Sequence, residues 1–561
     1  MPDRNTEMHF SKIPALDIQR SKFKENSTHT FSMNAGDLIP FYANEVLPGD
    51  TYEMAQSSII RMLTPICPVL DNAYADVYYF FVPRRIVWDH WEEFMGENKT
   101  TYWENPVVYS IPHIKTGAAT YWRKGDIANY MTGARIGLVS HPGIDACYFR
   151  GYAKIWNEWF RNQNVEEPAA VSTGTSTDTI ISNMTTQLDD PIVGAELGGV
   201  PLKVSKFADY FTSCLPDSQK GSDVYLPLGN TAPIITGEIN ENLNYPATKG
   251  LHFANANTGE VSWNTYRSIN TYGSSSNEAG EAFTDSATST ITGLGPRVIP
   301  DNLYADLSQA QAATVNQLRQ AFAIQRLLER DARGGTRYRE LIHSHFSVLT
   351  DDARMQVPEY LGGKRIPINM TEVIQTSESG TTPQGNTGAM SKTIDSDYMF
   401  KKSFTEHGMI IGVMCIRTDH TYAQGINRMF TRKDRLDFYW PTLANLGETF
   451  VKNKEIFATG TSADEEAFGY QERWAEYRYM PNRVSGEFSP DYATPLDTWT
   501  YVDEYATTPT LSADWMHETR NNIDRTLAIQ NQDQFMCNLY FKATLTRPLP
   551  MYSIPGLIDH H

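Results

Sequence analysis

Charge, cysteine and long apolar runs are all in short supply. Charged residues make up 20% of the 561 residues, below the roughly 25% common in soluble proteins. The five cysteines (Cys67, Cys147, Cys214, Cys415, Cys537) lie far apart and form no C-x-x-C pair. An odd, scattered set of this kind gives neither a disulfide framework nor a metal-ligand spacing, and it predicts buried, reduced thiols. The longest strongly apolar runs are about seven residues, as in 410–416 (IIGVMCI), against about 20 for a membrane-spanning helix. The opening MPDRNTEMHF has no apolar stretch of the kind a secretory signal needs.

Enzyme fingerprints are missing too. The chain has no G-x-x-x-x-G-K-[ST], no G-x-S-x-G and no H-E-x-x-H. Residues 293–298 (GLGPRV) lack the third glycine of a dinucleotide loop. His343 and His345, with one residue between them on a predicted short helix, point to different faces and suit a metal poorly. No catalytic residue, metal ligand or cofactor site is predicted, and the chain reads as a non-enzyme.

Bulky side chains are abundant instead: 30 Tyr, 25 Phe and 11 Trp make 12% of the sequence. So much apolar material with so little charge can bury a large core. Forty-eight basic against 66 acidic side chains leave a formal charge of −18. That total argues against a polycation that simply coats nucleic acid, and leaves room for a local basic face.

Strand signals sit at both ends of the chain. Aromatic and β-branched runs at 41–42, 51–62 and 74–82 are separated by Pro-containing joints at 47–50 and 64–68, which cannot continue a sheet interior. In 535–546 the odd positions are Phe, Cys, Leu, Phe, Ala and Leu, the period of a strand with one buried face. Residues 409–418 are apolar on both faces and predict a central strand. Residues 1–35, polar and mixed in charge, read as an extended arm.

Helical signals lie between these ends. Residues 145–163 form one candidate. Residues 304–333 form the best, with Ser308 as N-cap and Gly334-Gly335 as the stop. The stretch 217–295 is rich in Gly, Ser, Thr and Asn, with eight acidic residues and three basic ones, and reads as an ordered surface excursion. A second polar stretch, 375–390, predicts a mobile loop. A β core with strands from both termini and long insertions between them points to an antiparallel sandwich or jelly roll, whose loops gather at the sheet ends.

Two basic groups are candidate nucleic-acid contacts. At 100° per residue, Arg319, Arg326, Arg330 and Arg333 fall within about 60° of one another on a helix, and guanidiniums in a row can hold phosphates. Arg337 and Arg339 extend the basic character; Glu329, Asp331 and Glu340 are available to neutralise it. The second group, Arg428, Arg432, Lys433 and Arg435, is interleaved with Phe430, Phe438, Tyr439 and Trp440, a mixture suited to single strands. Asp434 and Asp437 dilute it, and an ordinary solvated loop is the competing account.

Several segments resemble one family together. They are 41–51 (FYANEVLPGDT), 64–66 (TPI), 79–88 (YFFVPRRIVW), 91–97 (WEEFMGE), 328–338 (LERDARGGTRY) and 547–557 (RPLPMYSIPGL). As an ordered set they closely resemble the major capsid protein family of the Microviridae, most like its gokushovirus branch of small single-stranded DNA phages. The resemblance implies a mainly β fold, a single eight-stranded antiparallel jelly roll over 36–561 with long loop and helical insertions (304–346 being the helical one). It implies a T=1 shell of sixty copies around a circular single-stranded DNA genome, assembled in the bacterial cytoplasm and present in the virion. A small basic packaging protein, scaffolding proteins and a host receptor are the further expected partners. The 217–295 insertion matches in place the family's threefold protrusion, a host-attachment candidate. A secreted carbohydrate-binding or carbohydrate-cleaving β-sandwich is the alternative, and a non-capsid phage spike a third.

Overall fold

The strand-forming runs at the two ends of the chain meet. The computed structural model describes residues 18–99, 108–225, 314–381 and 383–552, with four short strands, Ile234–Thr236, Phe253–Asn255, Val298–Pro300 and Leu303–Ala305. It falls into two units, Met1–Lys220 with Glu329–His561, and Gly221–Leu328.

Two four-stranded antiparallel sheets form the frame of the first unit. Their strands, numbered here along the chain, are β1 (Ser21–Met33), β2 (Ile39–Val46), β3 (Thr51–Met62), β4 (Ala73–Pro83), β5 (Glu359–Pro367), β6 (Thr393–Ser403), β7 (Gly408–Thr418) and β8 (Phe535–Arg547). The orders are β1-β8-β3-β6 and β5-β4-β7-β2. Strand 1 thus pairs with 8, 2 with 7, 3 with 6 and 4 with 5. Folding such a nested hairpin into two facing layers gives this order, which is compatible with the predicted jelly roll.

Side chains from both sheets fill the space between them. Phe41 of β2 stacks on Phe541 of β8 with ring centroids 5.8 Å apart, and meets Tyr79 of β4 edge-on at 5.5 Å. The polar atoms admitted here are paired: Tyr79 donates its hydroxyl to Gln56, and Asn44 donates to the Tyr52 hydroxyl at 2.8 Å. Strand β7 is buried along almost its whole length on both faces, as its unbroken apolar run predicts. At Gly412 a Cβ would come within 2.8 Å of the Phe41 ring, so the absent side chain makes room for that ring.

The outer face of the β5-β4-β7-β2 sheet is covered by the chain's own insertion. Phe80, Val82, Met409, Ile411 and Val413 pack there against Phe149, Tyr152 and Trp88. Helix α1 (Ala146–Ile155) supplies the first two of these partners and continues as a π turn through Trp156–Phe160. Its first turn is capped by Asp145, which accepts from the Cys147 N–H at 2.9 Å. All five cysteines are free and buried, and burial pushes the thiols of Cys147 and Cys415 up to about 12.

Three sequence readings change. Residues 21–33, assigned to an arm at 1–35, are extended but paired along their whole length with β8; they read as polar because β1 is an edge strand. The long helix, α2 (Val315–Gly334), begins at Val315 rather than near 308. Gln317 donates its N–H to Thr314 at 3.2 Å, while Leu303–Ala305 is a strand and Ser308 lies outside the described residues. Gly335, with φ +99°, follows the helix end as predicted. Around 375–390 the chain makes a hairpin, Met370–Ile374 with Thr387–Ser391. Apart from its short strands and residues up to 225, the 217–295 insertion lies outside the described residues.

A buried charge cluster ties distant insertions together. His420 sits between Asp503 and Glu518, its two ring nitrogens each 3.2 Å from a carboxylate, and Lys206 reaches Asp503 at 3.2 Å. Burial alone would lower the His420 pKa, but the Glu518 and Asp503 charges outweigh it and push it up to about 10. The opposing charges balance, two against two. A histidine raised in the folded state stabilises fully below its unfolded value and loses that contribution as pH climbs through the folded one. The stability difference between wild type and His420→Gln is therefore expected to be largest, about 3 kcal/mol or more, near pH 6 and to shrink toward pH 10 in denaturation curves. A second outcome tests the alternation of β8. Phe541→Ala should cost about 3–5 kcal/mol, whereas the outward Tyr540→Ala should stay within about 0.5 kcal/mol.

Candidate nucleic-acid interface

The arginine row on α2 (Val315–Gly334) divides. Arg319, Arg326 and Arg330 are exposed. Arg333 is not free: its guanidinium grips the half-buried Glu448 carboxylate, with Nε at 3.2 Å, and donates to the Ser213 carbonyl at 3.2 Å. Arg337 and Arg339 are clamps as well. The first donates to the carbonyls of Asn157 and Arg161 at 2.8 and 2.9 Å. The second donates to the Glu158 carbonyl and Asp352 while lying 4.0 Å above the Trp159 ring. Helix α3 (Tyr338–Phe346), whose first turn follows Arg337, is held in this way, and His345 meets Asp331 at 2.7 Å.

The second basic group spans two single-turn 3-10 helices, Arg428–Phe430 and Arg435–Asp437, with Arg432 and Lys433 between them, beside the antiparallel pair Glu448–Lys452 and Ala467–Glu472. A cleft of about 230 Å³ opens there, lined among others by Arg428, Arg432, Lys452, Arg473, Trp474 and Glu476. Arg428 is neutralised by the buried Glu455 at 2.7 Å, which also accepts from the Tyr210 hydroxyl at 2.9 Å. Arg432 donates to the buried Glu476 at 3.2 Å and lies 4.4 Å above the Tyr477 ring. Lys433 and Arg435 are exposed, Arg435 lying 4.7 Å above Trp440, whose indole N–H donates back to the Arg435 carbonyl at 3.0 Å. The N–H groups of Asp434 and Lys433 hold the Asp437 carboxyl below its usual range.

The structure thus separates four predicted cations. Arg428 and Arg432 hold the loop together, while Lys433 and Arg435 present charge outward, Arg435 over the Trp440 ring. A residue without a prediction joins them: Arg473 stacks 5.0 Å from its neighbour Trp474, and the adjacent Arg-Trp pair is the signal that could have found it. Among the described residues no His/Cys/Asp/Glu group has a geometry that could hold a metal, and no helix is long and apolar enough to cross a membrane.

The capsid protein (F protein) family matches residues 11–557. The chain is 38% identical over 566 residues to "Capsid protein VP1" of Bdellovibrio phage phiMH2K, covering 99% of this chain and 98% of that one. It is also 38% identical to the VP1 capsid protein of Spiroplasma virus 4, over 99% of both chains. Identity to the VP1 capsid protein of Chlamydia phage 1 is 32%, over 98% and 97%. The chain belongs to the capsid protein (F protein) family.

All three relatives are Microviridae proteins, and the role is that of a major capsid protein: structural, in many copies, in the virion. Membership explains the apolar surface of the single chain. Tyr338, Phe346 and Leu349 are 69%, 75% and 84% exposed. Exposed apolar clusters mark contact surfaces, and a capsid protein must cover much of itself with neighbours.

The division of the second basic group gives a direct test. Arg432→Ala strands the buried Glu476 and should cost about 3 kcal/mol of stability. Lys433→Ala and Arg435→Ala should each stay within about 0.5 kcal/mol. Urea midpoints of the three variants check this.

Proposed function

We propose that the chain builds a closed T=1 shell of sixty copies around a circular single-stranded DNA genome and has no catalytic activity. The match of nearly the whole chain to a capsid family supports this most directly. The frame suits a shell subunit, since a rigid sandwich of two sheets carries long insertions whose apolar surfaces are left for neighbouring copies. Obligate contacts of that kind are large and apolar.

Charge sets the second requirement. A chain of formal charge −18 enclosing a polyanion needs local cations at its inner wall, counter-ions, or a small basic packaging protein. Of the predicted residues, Arg319, Arg326, Arg330, Lys433 and Arg435 are the exposed candidates for phosphate contact. Arg333, Arg428 and Arg432 contribute by holding the surfaces that carry them. Assembly takes place in the host cytoplasm with scaffolding partners, and the 217–295 insertion, acidic and rich in small polar residues, is the candidate region for meeting a host receptor.

Electron microscopy and native mass spectrometry of purified particles test the reading. Closed isometric particles of one size, with a protein mass of sixty 63.4 kDa chains, are expected. A stable monomer as the functional species, or open filaments, would overturn it.

A further inference from the structure

The two sheets differ in how they are covered. Both faces of the β5-β4-β7-β2 sheet are packed. Among the described residues the β1-β8-β3-β6 sheet is packed on one face only, and its strand β8 alternates buried and exposed along its length. Its outward side chains can be read row by row from the register. One row is Lys24, Thr544, Glu53 and Lys401; the next is Asn26, Lys542, Ala55 and Tyr398; then come Thr28, Tyr540, Ser57 and Ser396. Lys22 and Arg61 lie toward opposite ends of the same face.

This face has an unusual charge balance for so acidic a chain. The outward positions of the four strands hold five cations, Lys22, Lys24, Arg61, Lys401 and Lys542, and one carboxylate, Glu53. Glu53 is engaged by Lys401 at 3.4 Å. The neutral positions are mostly hydroxyls and amides, some of them paired across strands, with Ile59, Ile394 and Met536 exposed toward the Arg61 end. Ser57 meets Ser396 and Thr51 meets Ser403, both at 2.8 Å, and Asn538 donates to Thr30 at 3.0 Å. Two aromatic rings, Tyr540 and Tyr398, stand half-exposed among them. Same-face residues on one strand recur about every 7 Å, so Lys22 and Lys24 present cations at a regular spacing, with Lys542 beside them on the next strand.

We propose that this uncovered face is a binding surface for single-stranded nucleic acid, its cations meeting phosphates and its tyrosines meeting bases. Charge complementarity selects this occupant. A flat cationic platform with aromatic rings and hydroxyls is the composition that tracks single strands without reading sequence. A second copy of an acidic chain is the competing occupant, but burial of this face against a copy would desolvate several cations beside only one carboxylate. The proposal rests on the capsid reading and adds to it the surface through which the genome is held.

The variant K22Q/K24Q/K542Q tests it, with K22R/K24R/K542R as the charge-conserving control. All three lysines are exposed, so circular dichroism and urea midpoints should match wild type. Binding of the full chain to a mixed-sequence DNA of about 30 nucleotides is measured against salt. Each lost phosphate contact lowers the slope of log affinity against log salt by about 0.7 for single strands. The Gln variant should therefore lose about 2 in slope, the Arg variant should keep the wild-type slope, and particles bearing the Gln variant should close but carry less DNA. Unchanged slope and DNA content in the Gln variant would overturn the proposal. So would folded Gln chains that bind DNA normally yet form no particles, which would assign the face to a neighbouring copy. Failure of the wild-type chain to form closed particles would instead refute the capsid reading itself.

Discussion

The pairing of the first strand with the last is the interaction on which the remaining architecture depends. Ser21–Met33 and Phe535–Arg547 run antiparallel in unbroken register from Ser21 opposite Arg547 to Met33 opposite Phe535. This contact closes a loop of about 500 residues, yet closure entropy grows only with the logarithm of length. Once the ends are fixed, the chain between them is free to leave the frame and return. The insertion after β4 (Ala73–Pro83) runs out to cover one sheet and comes back as β5 (Glu359–Pro367) beside the strand it left. Large additions therefore do not disturb the core, because they hang between strands that are already neighbours.

Cations in this chain are used chiefly from within. Arg333 ties the end of α2 (Val315–Gly334) to the Glu448–Lys452 strand, Arg337 and Arg339 fasten α3 (Tyr338–Phe346) to the carbonyls that follow α1 (Ala146–Ile155), and Lys206 with His420 neutralises Asp503 and Glu518. Arg365 and Arg417 likewise converge on the buried Asp76, and both lie over the Phe207 ring, at 4.4 and 4.2 Å. In each case a guanidinium or imidazolium joins segments far apart in the chain. Irregular insertions cannot satisfy all their backbone carbonyls by ladders, and Arg, with five donors in a planar fork, bridges several at once.

How far the sequence foretells this depends on whether the signal is local. The strand Phe535–Arg547 announces itself by alternation, and Gly408–Thr418 by being apolar on both faces, since each pattern reports which faces are buried. The polar strand Ser21–Met33 reads as extended but not as sheet, because its partner lies at the far end of the chain and its side chains are mostly outside. The onset of α2 is not legible because residues 304–313 are compatible with a helix, whereas Leu303–Ala305 pairs with Ile234–Thr236. Helical geometry puts Arg333 on one face with Arg319, Arg326 and Arg330, but cannot show that Glu448 waits for it. The same limit applies to Arg432 and Glu476. The rows of cations across β1, β8, β3 and β6 (Thr393–Ser403) have no sequence signal at all, since Lys24, Lys542 and Lys401 become neighbours only through register.

Covering one sheet and leaving the other bare follows from what a shell subunit has to face. A sandwich buries its core with two layers, and a third layer of its own insertion is warranted only where the outer face is apolar. Strand β7 and the middle of β4 are apolar outward as well as inward, so that sheet cannot meet water and must be covered by Phe149, Tyr152 and Trp88. The outward positions of β8 and β3 are Lys, Arg, Glu, Asn, Thr and Ser with scattered Tyr, Ile, Met and Ala, which water or a polar polymer satisfies equally well. Polarity thus decides which face is closed by the chain itself. In a chain of formal charge −18, the face left open is also one with few carboxylates, and the two properties coincide on the same four strands.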